Sequence, residues 1–395
     1  MELSQVHPWI LIGATVIVVV LIWRIRRRIK RPARQKSFTS EYFKGLNYLL
    51  NDEQGKALDI FVKLVESDWE IIDTHFALGK IFRKNGEIDK AIKIHQGLMG
   101  RPSLPEKYRS KVLLELGFDY LGAGWFDRAE GLFREVLTLQ PGSAVARRNL
   151  ILIYQQEKDW HKAIDVAVDL FAEDPGGIGP MISQYYCELA DQAQARGDIK
   201  QLENYANQAL RYDASSVRAS IMLARQCAAR RDYAQAIRYY EQIELQDAEF
   251  IPEIIGSLIE CYELSGETGK LVDYLSALVE RQQQIDLIES YVSVLERYQG
   301  SQAVIDFLRR KIAQQPSIKG MFQLLASYEK KMPDCSALVS DIKNSLQAMQ
   351  VEHAEYKCHR CGFEANTLYW LCPSCHHWGQ IKPAAVQTTE SSHGR

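Results

Sequence analysis

Gly45, Ala57, Phe61 and Leu64 recur 34 positions later as Gly79, Ala91, His95 and Leu98. A fixed period of this length marks a chain built from stacked copies of one small unit, none of which can bury its apolar face alone. A third copy follows a small insertion around 101–107 and reads Gly117, Ala129, Phe133, Val136 and Pro141. A fourth reads Ile151, Ala163, Ala167, Leu170 and Pro175. After a Gly/Pro run at 175–180, expected to break the array, further copies centre on 190–209, 224–243 and 259–278, with two degenerate pairs to about 350. The fifth copy departs from the pattern, with Leu202 where the others carry Ala.

Each copy reads as two antiparallel helices, matching the tetratricopeptide period. A small residue in the first helix and an Ala opening the second let the two approach. Large residues four and seven positions after that Ala fill the seam to the next pair. Gly86 and Gly124 sit where a tight turn joins the helices. Strand patterning is absent from this region. The expected fold is therefore all-α, a tetratricopeptide-repeat superhelix of eight or nine helix pairs over residues 37–350. Partners of such arrays usually sit on the face lined by first helices. There Asp73, Phe76, Lys80 and Arg83 form one stripe, and Lys111, Leu114, Phe118 and Leu121 the next. His95 and His161 stand singly and read as packing or surface residues rather than ligands.

The amino terminus is of another kind. Trp9–Trp23 is a run of fifteen uncharged residues spanning roughly 22 Å as a helix. With residues 3–8 added and Arg24 snorkelling, it reaches across a ~30 Å hydrocarbon layer. Trp9 and Trp23 bracket it as interface anchors. A cleavable signal would carry its positive charge before the apolar run. Here Arg24, Arg26, Arg27, Arg28, Lys30, Arg31, Arg34 and Lys36 follow it. Residues 1–23 are thus expected to be a transmembrane anchor and 24–36 a basic juxtamembrane segment lying on anionic lipid headgroups. The body is expected on the cytoplasmic side, since basic flanks stay inside.

The whole-chain charge of −2 conceals this asymmetry. Residues 1–36 carry eight basic residues against Glu2, which leaves 40 basic and 49 acidic side chains beyond them, a net −9. An acidic body excludes a protein that coats nucleic acid along its length.

The eight cysteines divide likewise. Cys187, Cys227, Cys261 and Cys335 are scattered and read as small buried hydrophobes. Cys358, Cys361, Cys372 and Cys375 form two C-x-x-C hooks ten residues apart. Two such hooks, with backbone N–H groups near Gly362 stabilising the thiolates, give one tetrahedral four-sulfur site suited to iron or zinc. A cytoplasmic location opposes the alternative of two disulfides. His359, His376 and His377 are neighbouring nitrogens, but four cysteines already complete the site. A closed site has no open position for a substrate or water, so the expected role of the metal is to fold a domain too small to hold itself, residues 354–383. Leu368–Trp370 is expected as a strand. Phe363, Tyr369, Trp370 and Trp378 are too many aromatics for so small a core, so some should dock on the last helices or on a partner. Residues 384–395 read as a disordered tail.

No catalytic motif accompanies these parts. Gly266–Lys270 lacks the spacing of a phosphate loop, and neither H-E-x-x-H nor G-x-S-x-G occurs, so no enzyme is expected. A redox protein with a rubredoxin-type iron site and an RNA-associated repeat protein are the competing readings; the acidic body opposes the second.

An anchor, a basic stretch, a repeat array and a terminal rubredoxin-like hook pair occur here in that order. With the segments Gly86–Met99, Tyr120–Phe133 and Cys361–Cys375, this order resembles the lipopolysaccharide assembly protein B family of Gram-negative bacteria. The resemblance covers essentially the whole chain and implies that the four cysteines are metal ligands. It also implies an inner-membrane adaptor that limits lipopolysaccharide synthesis by promoting proteolysis of the committed lipid A deacetylase by the membrane-anchored AAA+ protease. Other synthesis enzymes, an inner-membrane regulator and a second copy of the chain are further partners within that expectation; nucleic acid is not among them.

Overall fold

The computed structural model describes residues 53–67, 72–102, 104–172, 174–281, 285–314, 318–331 and 354–384, with isolated positions between 41 and 48 and at 342. The expected anchor, the basic segment and the tail beyond 384 lie outside the described residues. So do Cys335 and most of the last expected pair. Among the described residues no helix is long and apolar enough to cross a membrane. The chain forms two compact units, 1–159 and 160–395.

Both units are built from antiparallel helix pairs. The first contains Gln54–Ser67, the pairs Ile72–Lys84 with Ile88–Met99 and Glu106–Gly122 with Phe126–Leu139, and then Ala144–Glu157. The second begins with Trp160–Phe171 and continues through Pro175–Ala195 with Ile199–Tyr212, Val217–Ala229 with Tyr233–Gln246, and Ile251–Ser265 with Thr268–Arg281. Ile285–Gln314 is one more pair, folded at Gly300 (φ 82°, ψ 170°), and Ile318–Lys331 follows. The 34-residue copies thus correspond to helix pairs.

The seam of each pair explains the spacing of the motif. A β-carbon on Gly45 would lie 2.8 Å from the Phe61 ring, on Gly79 2.4 Å from His95, and on Gly117 2.8 Å from Phe133. In all three the small residue precedes its partner by sixteen positions, so the large ring takes the volume that the glycine vacates. Ala224 and Tyr240 repeat the arrangement in the second unit, both buried in one continuous core. Gly86 and Gly124 close their turns in the left-handed region, at φ 79° and 75°, which costs glycine nothing. Lys158 and Arg231 adopt the same conformation at the equivalent turns.

One expectation fails here. The Gly/Pro run does not interrupt the array: Asp174 caps Gly177 N–H, Pro175 occupies the first helical turn where no N–H is needed, and the helix runs on to Ala195. Gly179 lets this helix lie against the Tyr212 carbonyl, 2.6 Å from where a β-carbon would stand. The stripe on Ile72–Lys84 is divided: Asp73 and Lys80 are exposed, whereas its other members are covered or half-covered. Phe76 is buried. Asp73 pairs with Lys111, Lys80 with Glu115, and Arg83 with both Glu115 and Asp119.

That last contact belongs to a buried polar cluster. His95 occupies the place of the seam phenylalanine, fully buried, and its Nδ1 meets Asp119 Oδ2. Asp119 also accepts from Arg83 at 2.6 Å, and Glu115 accepts from Arg83 at 2.8 Å and from Lys80 at 2.9 Å. Burial opposes ionisation of Glu115, yet the hydrogen bonds from Lys80 and Arg83 overcome it and hold its carboxyl below the ordinary value. Its contribution to stability is complete above pH 4.5 and is lost as pH falls through the depressed value.

Arg83→Met should strip two buried carboxylates of their shared cation and cost about 3–5 kcal/mol. A fall in the thermal midpoint of the first unit checks this. Gly117→Val should cost about 1–3 kcal/mol by overpacking against Phe133. By contrast, Gly131→Ala, in an exposed helical position with open space around it, should raise stability by up to ~1 kcal/mol. Denaturant titration of the two glycine variants tests the seam against its own control.

Candidate metal centre and its docking surface

The ribbon is a three-stranded antiparallel sheet in the order β2-β1-β3, with β1 Tyr356–Cys358, β2 Glu364–Ala365 and β3 Ile381–Pro383. Leu368–Trp370 is not a strand, contrary to expectation. It leaves the sheet so that Leu368 and Trp370 pack against the helical core of the second unit.

Both hooks have the same geometry. In the first, Gly362 N–H donates to the Cys358 carbonyl at 2.9 Å and Cys358 N–H to the Phe363 carbonyl at 2.8 Å. In the second, His376 N–H donates to the Cys372 carbonyl at 2.9 Å and Cys372 N–H to the His377 carbonyl at 3.1 Å. The turn needs a left-handed residue after its second cysteine. Gly362 (φ 77°) supplies it in one hook and His376 (φ 54°) in the other. The amide of Gly362 is thus spent on the turn; the backbone groups that reach sulfur are those of Phe363, on Cys361, and His377, on Cys375.

The hooks bring the four sulfurs within 4.8 Å of one another. Cys358 and Cys375 are 3.8 Å apart and Cys361 and Cys372 3.7 Å. A tetrahedron with metal–sulfur bonds of about 2.3 Å has edges of about 3.8 Å, whereas a disulfide holds sulfurs at about 2.05 Å. The donor set therefore fits one metal ion, which the four cysteines could bind. His359, His376 and His377 are exposed and outside the cluster. The hydrogen bond from Phe363 N–H pulls the Cys361 thiol down to about 6, favouring the thiolate a metal needs. Burial pushes Cys375 up to about 12. The remaining described cysteines lie outside the cluster: Cys187, Cys227 and Cys261 are buried among helices, and burial drives Cys187 up to about 12.

Sequence reasoning expected the surplus aromatics to find a surface; the structure places it among the middle helices rather than the last. Trp370 stacks on Phe250 with centroids 5.4 Å apart and planes at 16°, and the Arg218 guanidinium lies 5.7 Å from the Trp370 ring. Trp378 presents its edge to Trp160 and Tyr185, at 6.2 Å and 6.1 Å. Polar contacts surround these anchors. Tyr356 Oη donates to Glu253 at 2.7 Å, and Lys382 Nζ pairs with Asp247 at 2.8 Å and Glu249 at 2.5 Å. Burial and the bond to Glu253 raise the Tyr356 phenol to about 12, so this contact is complete below pH 10 and lost as pH rises toward 12. Phe363 packs inside the ribbon, and Tyr369 remains exposed.

Replacing Trp370 and Trp378 by Ala should cost roughly 2 kcal/mol each, about half of a fully buried Trp truncation, since both are partly exposed. The variant should keep one metal per chain, because none of the ligands is touched. Elemental analysis alongside hydrogen exchange of the β1 and β3 amides separates loss of docking from loss of the site.

Residues 356–383 match the family described as rubredoxin metal binding domain. Across its length the chain is 32% identical to lipopolysaccharide assembly protein B of Escherichia coli strain K12, over 371 residues covering 91% of this chain and 94% of that protein. It is 27% identical to lipopolysaccharide assembly protein B of Haemophilus influenzae, over 92% of this chain and 95% of that protein. Among solved structures, a tetratricopeptide repeat protein from Parabacteroides merdae is 14% identical and covers 65% of this chain and 98% of that one, with a TM-score of 0.31.

Proposed function

The chain belongs to the lipopolysaccharide assembly protein B family, and on that footing we propose that it is an inner-membrane adaptor that regulates lipopolysaccharide synthesis by binding other proteins. Its client in this reading is the committed deacetylase of lipid A synthesis. Its effector is the membrane-anchored AAA+ protease that degrades the client, and other synthesis enzymes gather on the same scaffold.

The observation that carries the reading is a similarity that runs through helical array and ribbon together, in one order, to proteins named for lipopolysaccharide assembly. The physical parts suit the task. Helix-pair arrays present long side-chain-lined surfaces rather than enclosed reaction centres. The apolar run at 9–23, followed by eight cations, supplies a single-pass anchor with the body on the cytoplasmic side. Tethering adaptor and protease to one membrane raises their effective concentration without any new contact.

The four-cysteine site holds one zinc or iron ion in a structural role in this reading. Four protein sulfurs complete its coordination, and the ribbon they close presents Trp370 and Trp378 to the helices. An anaerobic preparation that contains iron and cycles reversibly between oxidation states would replace the structural role with electron transfer; zinc alone would exclude that.

Deleting residues 1–30 should leave a folded, metal-containing protein that no longer lowers deacetylase levels in cells at native abundance. Full regulation by the truncated protein would refute tethering. Crosslinking in membranes, followed by identification of attached proteins, should recover the protease and the deacetylase.

A further inference from the structure

Where the ribbon meets the second unit lies a cavity of about 230 Å³. Its helical side comes from the first helices of two successive pairs: Gln194 on Pro175–Ala195, and Arg218, Met222 and Arg225 at i, i+4 and i+7 on Val217–Ala229. Leu368 and Trp370 supply the ribbon's side.

The polar groups around it fall into two sets. Arg218 is 4% exposed, and its terminal nitrogens donate to Gln184, Glu188 and Asp191 while its Cζ lies over the Trp370 ring. It holds the junction together, and its Nε is buried without a hydrogen-bond partner. Glu253 is likewise engaged, by the Tyr356 hydroxyl. Arg225, Gln194 and Gln226 form the second set. Their side chains make no hydrogen bond or ion pair among the described residues, although they line the same cavity. Two amides and one guanidinium thus line the cavity together with the apolar side chains of Ile221, Met222, Leu368 and Trp370.

We infer that this composite cavity receives an extended peptide segment in which an Asp or Glu side chain neighbours an aliphatic one. The amides of Gln194 and Gln226 can bond peptide main chain, the apolar lining takes the aliphatic side chain, and Arg225 pairs with the carboxylate. A polyanion such as a phosphate or nucleic acid is the poorer fit, because the Asp191 and Glu253 carboxylates both line the cavity and, among the described residues, Arg225 is the one lining cation not already paired. The inference rests on reading the array as a partner-binding scaffold, but not on which protein supplies the peptide.

The test is panning of displayed random peptides on the purified full chain in detergent micelles, in parallel with Arg225→Gln and Arg225→Glu. Arg225 is exposed, so neither change threatens the fold. The basic segment at 24–36 attracts acidic peptides in all three proteins and cancels in the comparison. The wild type should enrich Asp or Glu beside Leu, Ile or Met. A synthetic consensus peptide should bind Arg225→Gln about tenfold or more weakly, and Arg225→Glu should shift enrichment toward Lys or Arg. The same motif enriched equally by all three proteins, or no motif in any, would overturn the inference. If the Arg225-dependent peptide binds while membrane crosslinking recovers neither deacetylase nor protease, the cavity stands and the partner assignment falls. Recovery of both partners without Arg225-dependent peptide binding overturns the cavity and leaves the partner assignment standing.

Discussion

Gly79 and Gly117 each lie so close to a ring sixteen residues later that a β-carbon would have to push that ring aside. This close approach brings the two helices of a pair together and lets the next pair stack on them. Where the ring is His95, the same geometry buries an imidazole and obliges the protein to answer it with Asp119, Arg83 and Glu115. A packing constraint in one copy therefore becomes an electrostatic network linking it to the next. A buried polar cluster of this kind costs desolvation, which the ion pairs of Arg83 with Glu115 and Asp119 offset, while His95 Nε2 is buried without a hydrogen-bond partner among the described residues.

The ribbon faces a different shortage. Some thirty residues with three short strands enclose only Ile381 and two cysteine sulfurs at near-zero exposure, too little apolar surface to stand alone. Two supports answer that. The hooks gather four sulfurs at the edge lengths of a tetrahedral metal site, and the surplus tryptophans are placed on the helices, Trp370 against Phe250 and Trp378 against Trp160 and Tyr185. The four-cysteine site and the docking contact are coupled through one short segment, since the residues between the two hooks carry both Trp370 and Leu368. The helical surface and the ribbon therefore meet along one seam, and the cavity lined by Arg225 lies on it.

The sequence determined the repeat, because a 34-residue recurrence of small and large residues has few physical solutions other than stacked helix pairs. It determined the four sulfurs of the site as well, because two C-x-x-C hooks at short separation leave a metal little alternative. Tertiary structure decided what period and spacing do not encode. Trp370 and Phe250 are 120 positions apart, Tyr356 and Glu253 103, and no local pattern links residues whose contact depends on how the chain returns on itself. For the same reason Leu368–Trp370, which reads locally as a strand, became a docking segment, and the Gly/Pro run at 175–180 became the start of a helix once Asp174 capped it. The stripe at Asp73, Phe76, Lys80 and Arg83 has the expected helical spacing, yet Phe76 is buried and Arg83 is drawn into the Asp119 cluster while Asp73 and Lys80 stay exposed: periodicity assigns a residue to a face, and only packing decides which members of that face are covered.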